Sequence, residues 1–149
     1  MRLDMVSPRR PITQRPTQDE LAAFLEREFP QTPCRIVSLS EGGATLRHEV
    51  GMAELRPGGT VSGPTMMALA DVALYVAIMA EVGLLPMIVT TQLSFNFLRK
   101  PAGDRALIGV CRLLKVGRTL AVGEATVYSE GLEEPVAHAV GSYAIPSVR

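Results

Sequence analysis

The chain has 149 residues, enough for one domain with a substantial core. Its 15 basic residues balance 15 acidic ones, so no net field draws it to nucleic acid or to an anionic membrane. With no tryptophan, four Phe and three Tyr, it is also poor in stacking platforms for bases.

Residues 1–16 carry Arg2, Arg9, Arg10 and Arg15 among Pro8, Pro11 and Pro16. They lack the apolar run of a signal peptide, and the prolines break the amphipathic helix a transit peptide needs. The expectation is a flexible N-terminal arm ahead of a single domain over residues 17–149. Thr17 followed by Glu20 is a capping box, and Leu21, Phe24, Leu25 and Phe29 then fall on one helical stripe that Pro30 ends. A hairpin is expected next, from Arg35 to Ser40 and from Ala44 to Val50, turning at Glu41-Gly42-Gly43. His48 shares the apolar face of its second arm and reads as a sheet residue. Cys34 and Cys111 are far apart in strand-like surroundings, and with His48 and His138 they form no metal-ligand spacing. They read as small buried residues of a reducing, cytoplasmic setting.

Residues 51–63 are loop-like. Pro64 suits the first turn of a helix, the stretch from Met66 to Ala80 is apolar apart from Asp71, and Gly83 supplies the stop. A helix apolar on every side must be wrapped by something. A membrane span is the competing reading, disfavoured by its many alanines, its central aspartate and the soluble character of what flanks it. Four extended segments follow, Ile88–Arg99, Asp104–Lys115, Thr119–Ser129 and Pro135–Ile145, separated by turns at Pro101-Ala102-Gly103, Val116-Gly117-Arg118 and Glu130-Gly131-Leu132. Their spacing predicts an antiparallel meander long enough to curl around the helix. The fold class is therefore α+β, a long central helix wrapped by a curved antiparallel sheet of five to six strands.

Two features can carry chemistry. Asp71 is the one charged side chain between Arg56 and Glu81, and a carboxylate in so apolar a helix needs either partners or a purpose. The glycine-rich Gly58-Gly59-Thr60-Val61-Ser62-Gly63-Pro64 runs into a helix N-terminus, where free N–H groups favour an oxyanion. Eight residues of helix put Gly63 and Asp71 about 12 Å apart. One carbonyl cannot touch both in the same chain, and cooperation requires Gly63 of one subunit to face Asp71 of another.

The segments Gly58–Asp71 (GGTVSGPTMMALAD), Val89–Arg99 (VTTQLSFNFLR) and Lys115–Ala121 (KVGRTLA) together resemble the hotdog-fold thioesterases of the phenylacetic-acid-degradation (PaaI-type) group, over roughly residues 35 to 145. The resemblance implies an acyl-CoA thioesterase built as a homodimer or as a tetramer of paired dimers. It implies Asp71 as the catalytic acid, the Gly63 N–H as the group that polarises the thioester carbonyl, and Thr90, or Thr91 with the strand shifted by one, as a hydroxyl that helps hold the attacking water. Ser62-Gly63-Pro64 stands where the family usually has His-Gly-Gly, and Arg56 where a polar residue, often Asn, is common.

Arg99, Lys100, Lys115 and Arg118 are candidates to hold the phosphates of coenzyme A, with Arg56, Ser62 and Thr91 as further substrate contacts. Met66, Met67 and Phe95 are candidates for the acyl pocket. No metal or redox cofactor is implied, since coenzyme A arrives as part of the substrate, and neither nucleic acid nor a membrane is expected as a partner. Asp71 can act as general base or as nucleophile, and both stay open, as does a non-catalytic acyl-CoA-binding protein of the same fold. A hotdog hydratase would need a histidine paired with an acid, and neither histidine is near Asp71 in sequence.

Overall fold

The computed structural model describes residues 10–146. Of the arm expected over residues 1–16, residues 1–9 lie outside the described residues. The rest is tied to the domain. Arg15 bridges Glu41 at 3.0 Å and Glu81 at 3.2 Å, its Nε donates to the Arg10 carbonyl at 2.8 Å, and the Arg10 N–H donates to the Glu81 carbonyl at 2.8 Å. Glu81 is only 2% exposed and also accepts from the Gly42 N–H at 2.9 Å. One carboxylate thus joins the N-terminal segment, the first hairpin turn and the end of the central helix.

Helix α1 spans Gln18–Glu28. Its capping box is formed: the Glu20 N–H donates to the Thr17 hydroxyl at 3.1 Å and the Thr17 N–H to the Glu20 carboxylate at 3.0 Å. Leu21, Phe24 and Leu25 are its buried stripe. Helix α2 spans Gly63–Val82, capped by Ser62, with Gly83 at φ 111° closing it. It is long and apolar enough to cross a membrane by length and composition, but 72% of its most apolar stretch is buried inside the protein. The wrapping that its all-round apolarity demands is supplied by the sheet.

The strands are β1 (Arg35–Ser40), β2 (Gly43–His48), β3 (Val89–Phe97), β4 (Leu107–Val116), β5 (Leu120–Ser129) and β6 (Pro135–Ala144), in the order β1-β2-β4-β5-β6-β3, every pairing antiparallel. This is the hotdog arrangement: an open six-stranded sheet around one helix. The expected meander is corrected in one respect. Of its four strands, β3 to β6, only β4, β5 and β6 lie side by side in chain order, whereas β3 pairs with β6 and β4 pairs with β2. The stretch between β3 and β4, residues 98–106, is longer than a hairpin turn and carries the chain to the other side of the sheet.

Inward positions of the sheet alternate with outward ones, and several of those facing α2 are small. A Cβ at Gly123 would stand 2.7 Å from Leu74 Cδ2, one at Gly141 3.1 Å from Leu74 Cδ1, and one at Gly109 3.0 Å from Leu69 Cγ. Ala121, Ala125, Ala137 and Ala139 complete this floor, all fully buried. The helix therefore lies close against the sheet, and Leu74 fills the space that two missing methyl groups leave. His48 is buried in β2, with Nδ1 2.8 Å from the Glu49 carbonyl.

Two stability outcomes follow from this packing. Gly123→Ala is expected to cost about 1–3 kcal/mol by overpacking and Leu74→Ala about 2–5 kcal/mol by leaving a cavity; the double variant costs less than their sum, because each change relieves the other, as urea denaturation will read. Glu81→Ala leaves Arg15 and the Gly42 N–H without their shared acceptor and is expected to cost about 3 kcal/mol, with faster amide exchange at residues 10–16 and 42.

Candidate active site

Asp71 sits in the third turn of α2, half-buried. Two hydroxyls reach it from the sheet. Thr90 Oγ1 on β3 donates to Oδ1 at 2.7 Å, and the Tyr143 hydroxyl on β6 donates to the same Oδ1 at 2.7 Å while lying 3.2 Å from the Asp71 carbonyl. Among the described residues, Oδ1 takes both of these side-chain hydrogen bonds and Oδ2 takes none. Tyr143 is 1% exposed. Burial, and then the charge of Asp71 and the hydrogen bond to it, push the phenol well above its ordinary range, so it stays protonated and remains a donor.

Asp71 opens onto a cleft of about 290 Å³ between the end of α1 and the side of α2. Phe29, Val72, Tyr75, Pro86 and Ile88 give it apolar walls, and Glu28 and Gln31 stand on the α1 side. The Tyr75 hydroxyl is held by the Pro86 carbonyl at 3.0 Å. Desolvation, with the charge of Glu28 adding to it, raises the Tyr75 phenol as well.

Gly63 lies at the other end of α2, in a separate groove of about 380 Å³ shared with Arg56, Met66, Phe97, Leu98, Arg99 and Lys100. Ser62 caps the helix by accepting from the Thr65 N–H at 3.3 Å, and its hydroxyl is 2.7 Å from that of Thr65. Pro64 has no N–H to give. The first-turn N–H of Gly63 is thus left for an outside acceptor, at the positive end of a 20-residue helix. A Cβ here would meet the Phe97 ring at 3.3 Å, which explains the glycine.

The sequence candidates therefore divide into two half-sites. Asp71 and Thr90 meet in one; Gly63, Arg56 and Arg99 meet in the other, with Ser62 beside them as the helix cap. Thr91 is turned away: it sits at the β-bulge between Thr90 and Gln92, and its hydroxyl donates to the Ser142 carbonyl at 3.0 Å. Arg99 pairs with Glu134 at 2.6 Å and donates to the Pro135 carbonyl at 2.9 Å. Lys115 and Arg118 are exposed at the β4–β5 hairpin. The register of Ala121 with Tyr143, and of Tyr143 with Thr90, puts that hairpin at the Asp71 end of the sheet. Met66, Met67 and Phe95 do not line the Asp71 cleft; Met66 lines the Gly63 groove, and Phe95 stacks on Phe97 with ring centroids 5.0 Å apart. No group of three or more His, Cys, Asp or Glu among the described residues is placed to hold a metal ion.

Sequence reasoning missed Tyr143 and the contribution of α1. Tyr143 had a signal: it follows Ala137, Ala139 and Gly141 on the inward face of β6, and a buried tyrosine hydroxyl needs a partner, of which Asp71 is the one charged side chain in the middle of α2. The wall supplied by Glu28 and Phe29 had none, because it depends on how α1 docks.

Comparison with known proteins identifies the family and the fold. Residues 58–136 match the family model of the thioesterase superfamily. A solved structure of a candidate thioesterase from Silicibacter sp. TM1040 is 49% identical, with a TM-score of 0.80 over 87% of this chain and 92% of that one. Zebra fish thioesterase superfamily member 2 is 17% identical with a TM-score of 0.77 over 88% of this chain and 99% of that one. The E. coli PaaI protein is 21% identical with a TM-score of 0.69 over 85% and 91%. The last two speak for the fold alone. No curated protein matches the chain. A family model that takes in more than half of the residues, together with a relative sharing nearly half its identities over most of both chains, makes this chain a member of the thioesterase superfamily with the hotdog fold.

Proposed function

We propose that the protein hydrolyses acyl-CoA thioesters to a free acid and coenzyme A, at two equivalent sites formed where two copies of the chain meet. The observation that carries this reading is the span of β3. This strand is an edge of the sheet, and its unpaired side is a template for another strand. Its first residues put Thr90 on Asp71, and its last puts the Phe97 ring on Gly63. Antiparallel pairing of β3 with β3 of a second copy brings the Asp71 end of each chain to the Gly63 end of the other. The exposed apolar side chains along the strand, Val89 at 51% and Phe97 at 52%, support burial there.

In this reading the acyl group lies in the cleft walled by Phe29, Val72, Tyr75 and Ile88, with its thioester carbonyl at the mouth. Water attacks the carbonyl carbon as Asp71 takes its proton, the partner's Gly63 N–H donates to the developing oxyanion, and collapse of the tetrahedral intermediate expels the coenzyme A thiolate. Attack by Asp71 itself, giving a mixed anhydride that water then opens, uses the same groups. Arg56, Arg99 and Lys100 beside Gly63 join Lys115 and Arg118 of the other chain around the phosphates of the coenzyme, so that both basic clusters serve one site. We place the enzyme in the cytoplasm, a reducing setting that suits its two buried free cysteines, and see further pairing of dimers into a tetramer as compatible with the sheet's free outer face. The hydratase alternative is disfavoured: His48 is buried in β2, and His138 stands on the outer face of the sheet, 3.7 Å from Glu124.

The tests are direct. Wild type is expected to release free thiol from members of an acyl-CoA panel and Asp71→Asn to lose at least about a hundredfold in kcat; no turnover on any acyl-CoA, or full turnover by the variant, overturns the assignment. Single-turnover hydrolysis in heavy-oxygen water separates the two routes, since label entering Asp71 marks the nucleophilic one. A shared site also makes a complementation prediction. Asp71→Asn and Gly63→Val are each inactive alone, and refolding them together restores activity, because a mixed dimer has one site built from intact Asp71 and intact Gly63. If mixing restores nothing, each chain holds its own site.

A further inference from the structure

Resting on the thioesterase reading with Asp71 as its reacting carboxylate, we propose that Tyr143 is a positioning residue for the hydrolysis, which together with Thr90 commits Oδ1 of Asp71 to the sheet and leaves Oδ2 as the reacting oxygen.

The geometry is that of a fixed carboxylate. A carboxylate on a helix can turn about its last torsion, and its two oxygens are then interchangeable. Here both side-chain donors converge on one of them, each at 2.7 Å, from two adjacent strands. The Tyr143 hydroxyl also lies 3.2 Å from the Asp71 backbone carbonyl, so its position is referred to the helix itself as well as to the side chain it holds. Its ring has no freedom to follow a rotating carboxylate. It is 1% exposed and packed over the inward face of β6, where a Cβ at Gly141 would come within 3.0 Å of it. Thr90 alone could not serve as well, being exposed on an edge strand beside a bulge.

The oxygen left to take the proton, or to attack the carbonyl, is then Oδ2, which accepts no side-chain hydrogen bond among the described residues. Other titratable groups lie on the elements packed around this carboxylate: Glu28 on α1, Tyr75 on α2, Tyr143 itself on β6, and Cys111 on β4, whose charge bears on Tyr143 and whose thiol burial pushes up to about 12. Glu28 is the one other carboxyl among the described residues lining the cleft, and its removal leaves Asp71 as the sole carboxylate there.

The experiment compares wild type with Tyr143→Phe on the best acyl-CoA of the panel, both in a Glu28→Gln background. Loss of the hydroxyl is expected to lower kcat about tenfold with KM changed by less than about twofold. Adding Tyr143→Phe to Asp71→Asn lowers the residual rate no further, since the tyrosine acts through that carboxylate. Should Tyr143→Phe fail to fold, 3-fluorotyrosine incorporated at position 143 keeps ring and hydroxyl but makes the phenol a stronger donor; kcat then moves by more than about twofold, and not at all in the Asp71→Asn background. An unmoved kcat in whichever variant folds, or an equal effect in the Asp71→Asn background, overturns the positioning role and leaves the thioesterase reading standing. A wild type without turnover removes both.

Discussion

A carboxylate set into the middle of a core helix faces two demands that pull against each other. Folding requires that it be hydrogen-bonded, because an isolated charge beside Val72, Ala73 and Leu74 would be too costly to keep. The proposed chemistry requires that it keep an oxygen unspent. The hydroxyls of Thr90 and Tyr143 both donate to Oδ1, and Oδ2 accepts from no described side chain, so the two oxygens are divided between these demands. That division depends on how close α2 lies to the sheet. Tyr143 reaches the helix because its neighbour on the inward face of β6 is Gly141 and the next strand presents Gly123, so Leu74 sinks between them. The glycine floor that packs the core is also what brings the phenol within 2.7 Å of the carboxylate.

The second constraint is the bulge in β3. Thr90 and Phe97 are seven residues apart, an odd number, and in a regular strand they would point to opposite faces. Yet Thr90 reaches Asp71 and Phe97 covers Gly63, both on α2. The register skip between Thr90 and Gln92 resolves this: it moves Leu93, Phe95 and Phe97 onto the face that Thr90 already occupies. One edge strand thereby touches both half-sites of its own chain. Under the proposed function, that is the property that lets the same strand register them against a second copy.

Much of this was legible in the sequence because it was written locally. The capping box at Thr17 and Glu20, the proline and glycine that bracket α2, and the turns near 102, 117 and 131 set six strands and two helices within a few residues of where they lie. Asp71 stood out because nothing around it is polar. Strand order was not legible in the same way. Hydrophobic alternation says that Val89–Phe97 is a strand, but not that it leaves its sequence neighbour to pair with β6. The alternation of β6 marks Tyr143 as buried, and the stripe of α1 includes Phe29, but neither local pattern says that these residues come to Asp71, since each lies on an element distant in sequence. The resemblance to PaaI-type proteins supplied the fold where periodicity stopped short, and the choice between Thr90 and Thr91 was left for the register to make.

The departure of Ser62-Gly63-Pro64 from the family's usual His-Gly-Gly takes on a physical meaning once the helix end is seen. The Ser62 hydroxyl is occupied with capping, at 3.3 Å from the Thr65 N–H, and Pro64 removes a donor from the first turn. What they leave is a single backbone N–H at Gly63, backed by the dipole of a 20-residue helix. A backbone donor is the one kind of group that changes of neighbouring side chains do not delete. Under the proposed function, serine in place of histidine removes a side chain near the carbonyl without touching the oxyanion donor itself. The proposed chemistry then rests on two fixed points, an amide at one end of α2 and a half-spent carboxylate two turns along, about 12 Å apart in one chain, so that it calls for a second.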